Sequence, residues 1–196
     1  MFAIRVDLLT DRYYATAFND RQQGEWPPHP GRLFSAMVAT WADGDPPLDA
    51  ERQALLWLEG QAPPALRCDG PDDVARREVA THFVPINDVS LLRAQDKDYQ
   101  RLQAAHTALA YFIWEQAEPT PDALSAIDGL LSRLARLGHS SSLVAASIAT
   151  DPPEATIGPL DGGNDALRVP VTGLLDALRR RTCNTRVRRQ GSYPTK

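Results

Sequence analysis

The stretch from Glu25 to Thr40, E-W-P-P-H-P-G-R-L-F-S-A-M-V-A-T, limits what this chain can fold into more than any other. Pro27, Pro28 and Pro30 bracket His29, and a run this rich in proline cannot be helix interior or central strand. It leads straight into apolar residues at helical spacing, Leu33, Phe34, Met37, Val38 and Trp41, so a rigid loop feeds an amphipathic helix. Pro30 suits the first helical position, where its fixed φ is already right and no N–H is needed. The stripe is expected in the core, and the loop is expected to present Trp26, His29 and Arg32 at a surface.

With 196 residues and 43% hydrophobic content, the chain can bury one good core and is short for two. The expected organisation is one domain over residues 1–165 and a basic C-terminal extension over 166–196. No window approaches the ~18 consecutive apolar residues of a membrane span, and the opening Met1–Asp7 is too charged for a signal peptide, so a cytoplasmic protein is expected. Cys68 and Cys183 form no C-x-x-C pair; both are expected reduced, with neither a disulfide framework nor zinc. His29, His82, His106 and His139 form no H-x-x-x-H pair, and the phosphate-binding G-x-x-x-x-G-K-[ST] loop is missing, so neither metal nor cofactor is expected.

The net charge of -4 argues against a nucleic-acid binder, but its distribution argues for one. From Arg168 to Lys196 the chain carries +7, and the preceding residues carry -11. This is an acidic body with a basic edge. Of the 21 basic residues only Lys97 and Lys196 are lysine, and the planar arginine guanidinium suits phosphate contacts and base stacking.

Residues 2–10 alternate as a first strand, ending in Leu8 and Leu9 as buried residues. Residues 11–28 form a loop or hairpin, and the helix after Pro30 is closed by Asp43-Gly44 and Pro46-Pro47. Asp49 is expected to cap a second helix that ends at Gly60. The run 77–84 predicts the second strand, residues 86–107 a polar insertion of unassigned role, and Leu109–Trp114 the third strand. Thr120-Pro121-Asp122 starts a helix whose apolar face carries Leu124, Ile127, Leu131, Leu134 and Leu137 and which ends at Gly138. Residues 143–150 predict a fourth strand, 167–170 a short further strand, and 171–180 a last helix. The order is that of a ferredoxin-like α+β domain, βαββαβ with loop insertions, which by itself selects no function.

Three groups of residues carry candidate chemistry. His29 could act as acid or base in metal-independent RNA cleavage, but no second titratable partner is identifiable, and catalysis by this chain is not the expectation. Gly138-His139-Ser140-Ser141-Ser142 superficially matches the G-x-S-x-G elbow of serine hydrolases. Ser142 replaces the last glycine and helix precedes strand, so helix capping or RNA-backbone contact fits these hydroxyls better. Arg179, Arg180, Arg181, Arg186, Arg188 and Arg189 form a basic tail, and Tyr13, Tyr14 and Trp26 near Arg12, Arg21 and Arg32 offer planes on which bases stack.

The blocks D-R-Y-Y-A-T-A-F-N-D-R, E-W-P-P-H-P-G-R-L-F-S-A-M-V-A-T-W-A, H-F-V-P-I-N-D and R-L-G-H-S-S-S-L-V resemble, in this order, the amino-terminal part of the CRISPR-associated subunit of type I-G (formerly I-U) systems. In that family the fifth and sixth Cas proteins are fused. The resemblance implies an RRM-like RAMP domain that caps the 5′ handle of the crRNA within the Cascade surveillance complex of antiviral defence. Its partners would be the crRNA, the backbone and large subunits of that hetero-oligomer, and target DNA as a further candidate, with no membrane. The fused protein would continue past Lys196 into a second such domain, where the metal-independent nuclease that processes precursor crRNA is expected. Handle binding is thus the expectation for this chain and pre-crRNA cleavage the alternative. Arg12, Trp26, His29, Arg32, His139 and Ser140 to Ser142 lie in the family-like blocks.

Overall fold

The computed structural model describes residues 1–16, 24–70, 74–77, 104–106, 109–159 and 166–180. The elements are β1 (Phe2–Leu8), β2 (Tyr13–Tyr14), α1 (Pro30–Ala42), α2 (Asp49–Glu59), β3 (Ala65–Arg67), β4 (Ala75–Arg77), β5 (Ala104–His106), β6 (Leu109–Trp114), α3 (Pro121–Leu131) and β7 (Val144–Ile148). A further helix, α4, covers 174–180. The architecture is mixed α/β around a four-stranded antiparallel sheet of order β3-β6-β1-β7.

β1 is central, with β6 on one side and β7 on the other, and one of its faces is wholly apolar. Phe2, Ile4, Val6 and Leu8 share one face and are all buried, and across the ladder Phe2 opposes Trp114, Ile4 opposes Phe112 and Val6 opposes Ala110. Arg5 and Asp7 share the other face and pair with each other at 2.7 Å. The buried stripe of α1 (Leu33, Phe34, Met37, Val38, Trp41), Leu55 and Leu58 of α2, and Ile127, Leu130 and Leu131 of α3 join this face in one core. Phe2 meets the edge of the α2 residue Trp57 at 5.8 Å between ring centroids. The β3 edge is covered by Ile157, which exchanges backbone hydrogen bonds with Leu66 at 2.7 and 3.0 Å. A small second sheet, β2-β5-β4, carries Tyr13 and Tyr14.

Several expectations are corrected. The second strand of the main sheet is Ala65–Arg67; Ala75–Arg77 belongs to the small sheet, and 78–84 lie outside the described residues, as does most of 86–107. Leu9 is exposed, because β1 ends at Leu8 and a turn through Asp11 follows, with the Asp11 N–H donating to the Leu8 carbonyl. Asp49 is the first residue of α2 and Leu48 its N-cap. Residues 166–170 form no strand.

The largest correction concerns α3. Thr120 caps it as expected, its hydroxyl accepting from the Ala123 N–H, but the helix stops at Leu131 instead of reaching Gly138. Residues 135–137 turn back along 142–144: Leu137 donates to the Ser142 carbonyl, Val144 donates to the Ala135 carbonyl, and Arg136 bridges Leu143. Leu134 and Leu137 are buried either way, so the apolar spacing could not distinguish a helix turn from a hairpin arm. Arg133 and Arg136 consequently flank a hairpin and are not in a last helical turn.

Residues 166–180 pack on this body. Leu175 is fully buried in the core, the Gly31 N–H donates to the Arg168 carbonyl at 2.8 Å, and the Arg179 guanidinium lies 5.4 Å from the Trp41 ring centroid.

Candidate nucleic-acid interface

The proline-braced loop before α1 is organised by Glu25. The Glu25 N–H donates to the Ala15 carbonyl, which places its side chain inward beside β2, and 1% of that side chain is exposed. The carboxylate accepts four hydrogen bonds. Oε1 takes the Tyr13 hydroxyl at 2.7 Å and Arg32 Nε at 2.6 Å; Oε2 takes Arg32 Nη2 at 2.7 Å and Arg168 Nη2 at 2.6 Å. Burial, the strongest influence, would raise its pKa. The bonds from Arg32 and Tyr13 and the charges of Arg32 and His29 outweigh burial and bring it to about 2. Glu25 is therefore an anion at neutral pH. Burial pushes the Tyr13 hydroxyl well above its ordinary range, and the negative Glu25 adds to this, so Tyr13 stays a donor.

His29 joins the cluster through Nδ1, which accepts from Arg168 Nε at 3.2 Å and lies 3.4 Å from Glu25 Oε2. That contact assigns the neutral tautomer with its proton on Nε2. Desolvation lowers the His29 pKa; Glu25 opposes the shift, and Arg168 and Arg32 add to it. With 12% of its side chain exposed and one ring nitrogen engaged by Arg168, His29 has the geometry of a support for the loop.

Trp26 likewise packs inward, its ring 6.0 Å from Tyr13 and its Nε1–H donating to the Asp69 carbonyl at 3.0 Å. The expectation that this loop displays Trp26, His29 and Arg32 is corrected in part: His29 and Arg32 converge on a buried acid, and Trp26 is half-buried against Tyr13. Tyr13 is fully buried.

A second feature is the hairpin tip 138–141. Gly138 has φ 84°, which residues with a side chain rarely adopt, and a Cβ there would sit 2.8 Å from the Tyr14 carbonyl oxygen. The His139 N–H donates to that same carbonyl. Ser142 is fully buried, its Oγ accepting from the Tyr14 N–H at 2.7 Å. Ser142 thus clips the hairpin onto β2, a role unlike helix capping or RNA contact. His139, Ser140 and Ser141 remain exposed on this fixed tip, with the Ser141 N–H donating to His139 Nδ1 at 3.2 Å. Between the hairpin and α1 runs a groove of about 680 Å³ lined by Arg32, Thr40 and Asp43 from the α1 side and by Arg133, Arg136 and Gly138 from the hairpin side.

Over residues 2–190 the sequence matches the GSU0054 family of CRISPR-associated proteins. The chain belongs to that family. Among curated proteins the comparison finds no match.

Among the described residues expected from sequence to bind RNA, Arg12, His139, Ser140, Ser141, Arg179 and Arg180 are exposed. Tyr13 and His29 are gathered below the surface around Glu25, Trp26 is half-buried, and Arg32, held by the same acid, is 23% exposed at the wall of the groove. Arg21, Arg181, Arg186, Arg188 and Arg189 lie outside the described residues. Sequence reasoning missed Glu25, Ser142 and Glu59 as organising residues and Arg168 as a partner of the loop. No local signal marks them, since Arg168 lies 143 residues from Glu25 and Ser142 lies 128 from Tyr14. Among the described residues no cluster of three or more His, Cys, Asp or Glu side chains forms, and no helix is long and apolar enough to cross a membrane. Cys68 is a free, buried thiol, and burial raises its pKa to about 11.

Proposed function

We propose that this chain is the crRNA-binding subunit of a type I-G Cascade complex, seating the repeat-derived 5′ handle and contacting the backbone and large subunits. In this reading the main sheet and its helices are a ferredoxin-like RAMP domain. The strand order β3-β6-β1-β7, with α1 and α2 between β1 and β3 and α3 between β6 and β7, supports that assignment. The observation that carries the functional reading is the rigid tip His139–Ser141. It presents the exposed Ser140 and Ser141 hydroxyls and the His139 side chain next to Gly138, which lines a groove flanked by Arg32, Arg133 and Arg136, in a protein of the CRISPR-associated family. Preorganised donors beside guanidinium groups suit a phosphodiester backbone. Arg133 is held at 2.6 Å by the nearly buried Glu51, and Arg32 by Glu25, so the wall is fixed before a ligand arrives.

The test is fluorescence anisotropy of the purified chain with crRNA carrying its own 5′ handle and with the same RNA after scrambling the handle. Tighter binding of the authentic handle, falling steeply with salt, is expected. Equal affinity for both RNAs overturns handle recognition. Incubation with precursor crRNA in EDTA separates binding from cleavage: a site-specific product that disappears in His29→Ala would assign catalysis to this chain instead.

A further inference from the structure

Glu59, the last residue of α2, is 4% exposed. Its carboxylate is aimed at the start of α4: Oε1 accepts from the Gly173 N–H at 3.0 Å and Oε2 from the Leu175 N–H at 2.9 Å. Gly173 is the N-cap of α4, since the Ala177 N–H donates to its carbonyl, and the first N–H groups of a helix have no intrahelical acceptor. Glu59 supplies that acceptor from another element, and its negative charge faces the positive end of the helix. Beside it Leu175 is fully buried, and one turn further on Arg179 lies over Trp41.

An arginine held over a ring face spends none of its N–H donors on that contact, so an anion can take them. Arg179 is therefore held ready for a phosphate, and Arg180 follows it, exposed, on the same helix. We propose that Glu59 is a positioning residue for nucleic-acid binding: by capping α4 it fixes Arg179 and Arg180 against the body, so that both meet the backbone of one bound RNA without the cost of ordering a free segment. This rests on the RNA-binding reading above and adds to it the device that orients the basic edge.

The test is a double-mutant cycle on the full chain with handle-bearing crRNA, comparing wild type, Glu59→Ala, the pair Arg179→Ala and Arg180→Ala, and the combination. Affinity is measured across a salt series, and hydrogen exchange is read at the Gly173 and Leu175 amides. Removing the two arginines is expected to lower the slope of log affinity against log salt by about 1.4, at about 0.7 for each phosphate of a single strand that is no longer neutralised. Glu59→Ala is expected to lose protection at both amides and to reproduce that change in slope. The combined variant should bind no more weakly than the arginine pair alone. A role confined to stability would leave the salt slope of the folded protein unchanged. Full wild-type affinity and slope with amide protection lost, or losses that simply add, overturn the proposal. Should Glu59→Ala fail to fold, Glu59→Gln, which keeps an acceptor but no charge, is expected to give a smaller change in the same direction, and wild-type behaviour of its slope despite lost amide protection overturns the proposal equally. Wild type that binds no RNA overturns the parent reading, whereas binding with an additive cycle overturns the role of Glu59 alone.

Discussion

Glu25 keeps its charge in a place where a lone carboxylate would give it up, because two guanidinium groups and a phenol converge on its two oxygens. Removing that charge leaves the cations without their counter-ion. For a fully buried pair the cost would be about 3–5 kcal/mol; with the Arg32 and Arg168 side chains 23% and 40% exposed, solvent screening reduces it, and Glu25→Gln is expected to lose about 2–3 kcal/mol in urea denaturation. The pH dependence follows in sign. The folded pKa of about 2 lies below the ordinary 4.5, so the stabilisation is complete above about pH 4.5 and is lost as pH falls toward 2. Wild type is expected to weaken across that window more steeply than Glu25→Gln. Parallel acid limbs would show that the ionised form contributes nothing. The sequence offered Glu25 only as the border of a proline-rich loop, because the acid gains its meaning from Tyr13, Arg32 and Arg168, and the last of these lies 143 residues away in sequence.

At the scale of elements, the hairpin 135–144 shows how one apolar pattern can serve two structures. Leu131, Leu134 and Leu137 have helical spacing, yet the chain leaves the helix after Leu131, and what holds the alternative is the clip to β2. Ser142→Ala removes the acceptor of the Tyr14 N–H and is expected to cost about 1–2 kcal/mol. Gly138→Ala combines an unfavourable positive φ with a Cβ at 2.8 Å from a backbone oxygen, and is expected to cost about 2 kcal/mol or more. Thr120→Ala, at a cap far from the clip, should cost about 1 kcal/mol. Thermal denaturation of the three variants checks the order, and RNA affinity should fall for Gly138→Ala but not for Thr120→Ala. An unperturbed Gly138→Ala protein would mean the tip is not held as described. The cap and first turn of α3 were legible because they are local; the end was not, because the competing partner lies in β2.

For the whole molecule, the decisive question is whether the basic C-terminal part is an appendage. From 166 to 180 it contributes Leu175 to the core, Arg168 to the Glu25 cluster and α4 to Glu59. Deleting residues 166–196 would uncover apolar surface, remove one of the four donors to the buried Glu25 and take both amide donors from the nearly buried Glu59. A fall in melting temperature of about 10 °C is expected by calorimetry, at about 2–4 °C for each kcal/mol lost in a chain of this size. An unchanged melting temperature would make this part separable from the body.

What the sequence alone determined were the features written in neighbouring residues. These are the proline-started α1 with its buried stripe, the alternating β1 and dense β6, the capped start of α3, the acidic body and basic end, and the blocks that resemble a CRISPR-associated family. Hydrophobic period, fixed proline φ and capping chemistry act within a few residues, so they can be read locally. Only the tertiary structure decided which strand completes the main sheet, where α3 stops, and that the residues of the proline-rich loop turn inward. Those outcomes depend on pairings between groups distant in sequence, Leu66 with Phe112 across the sheet, Glu25 with Arg168 and Tyr14 with Ser142, and no local pattern encodes them.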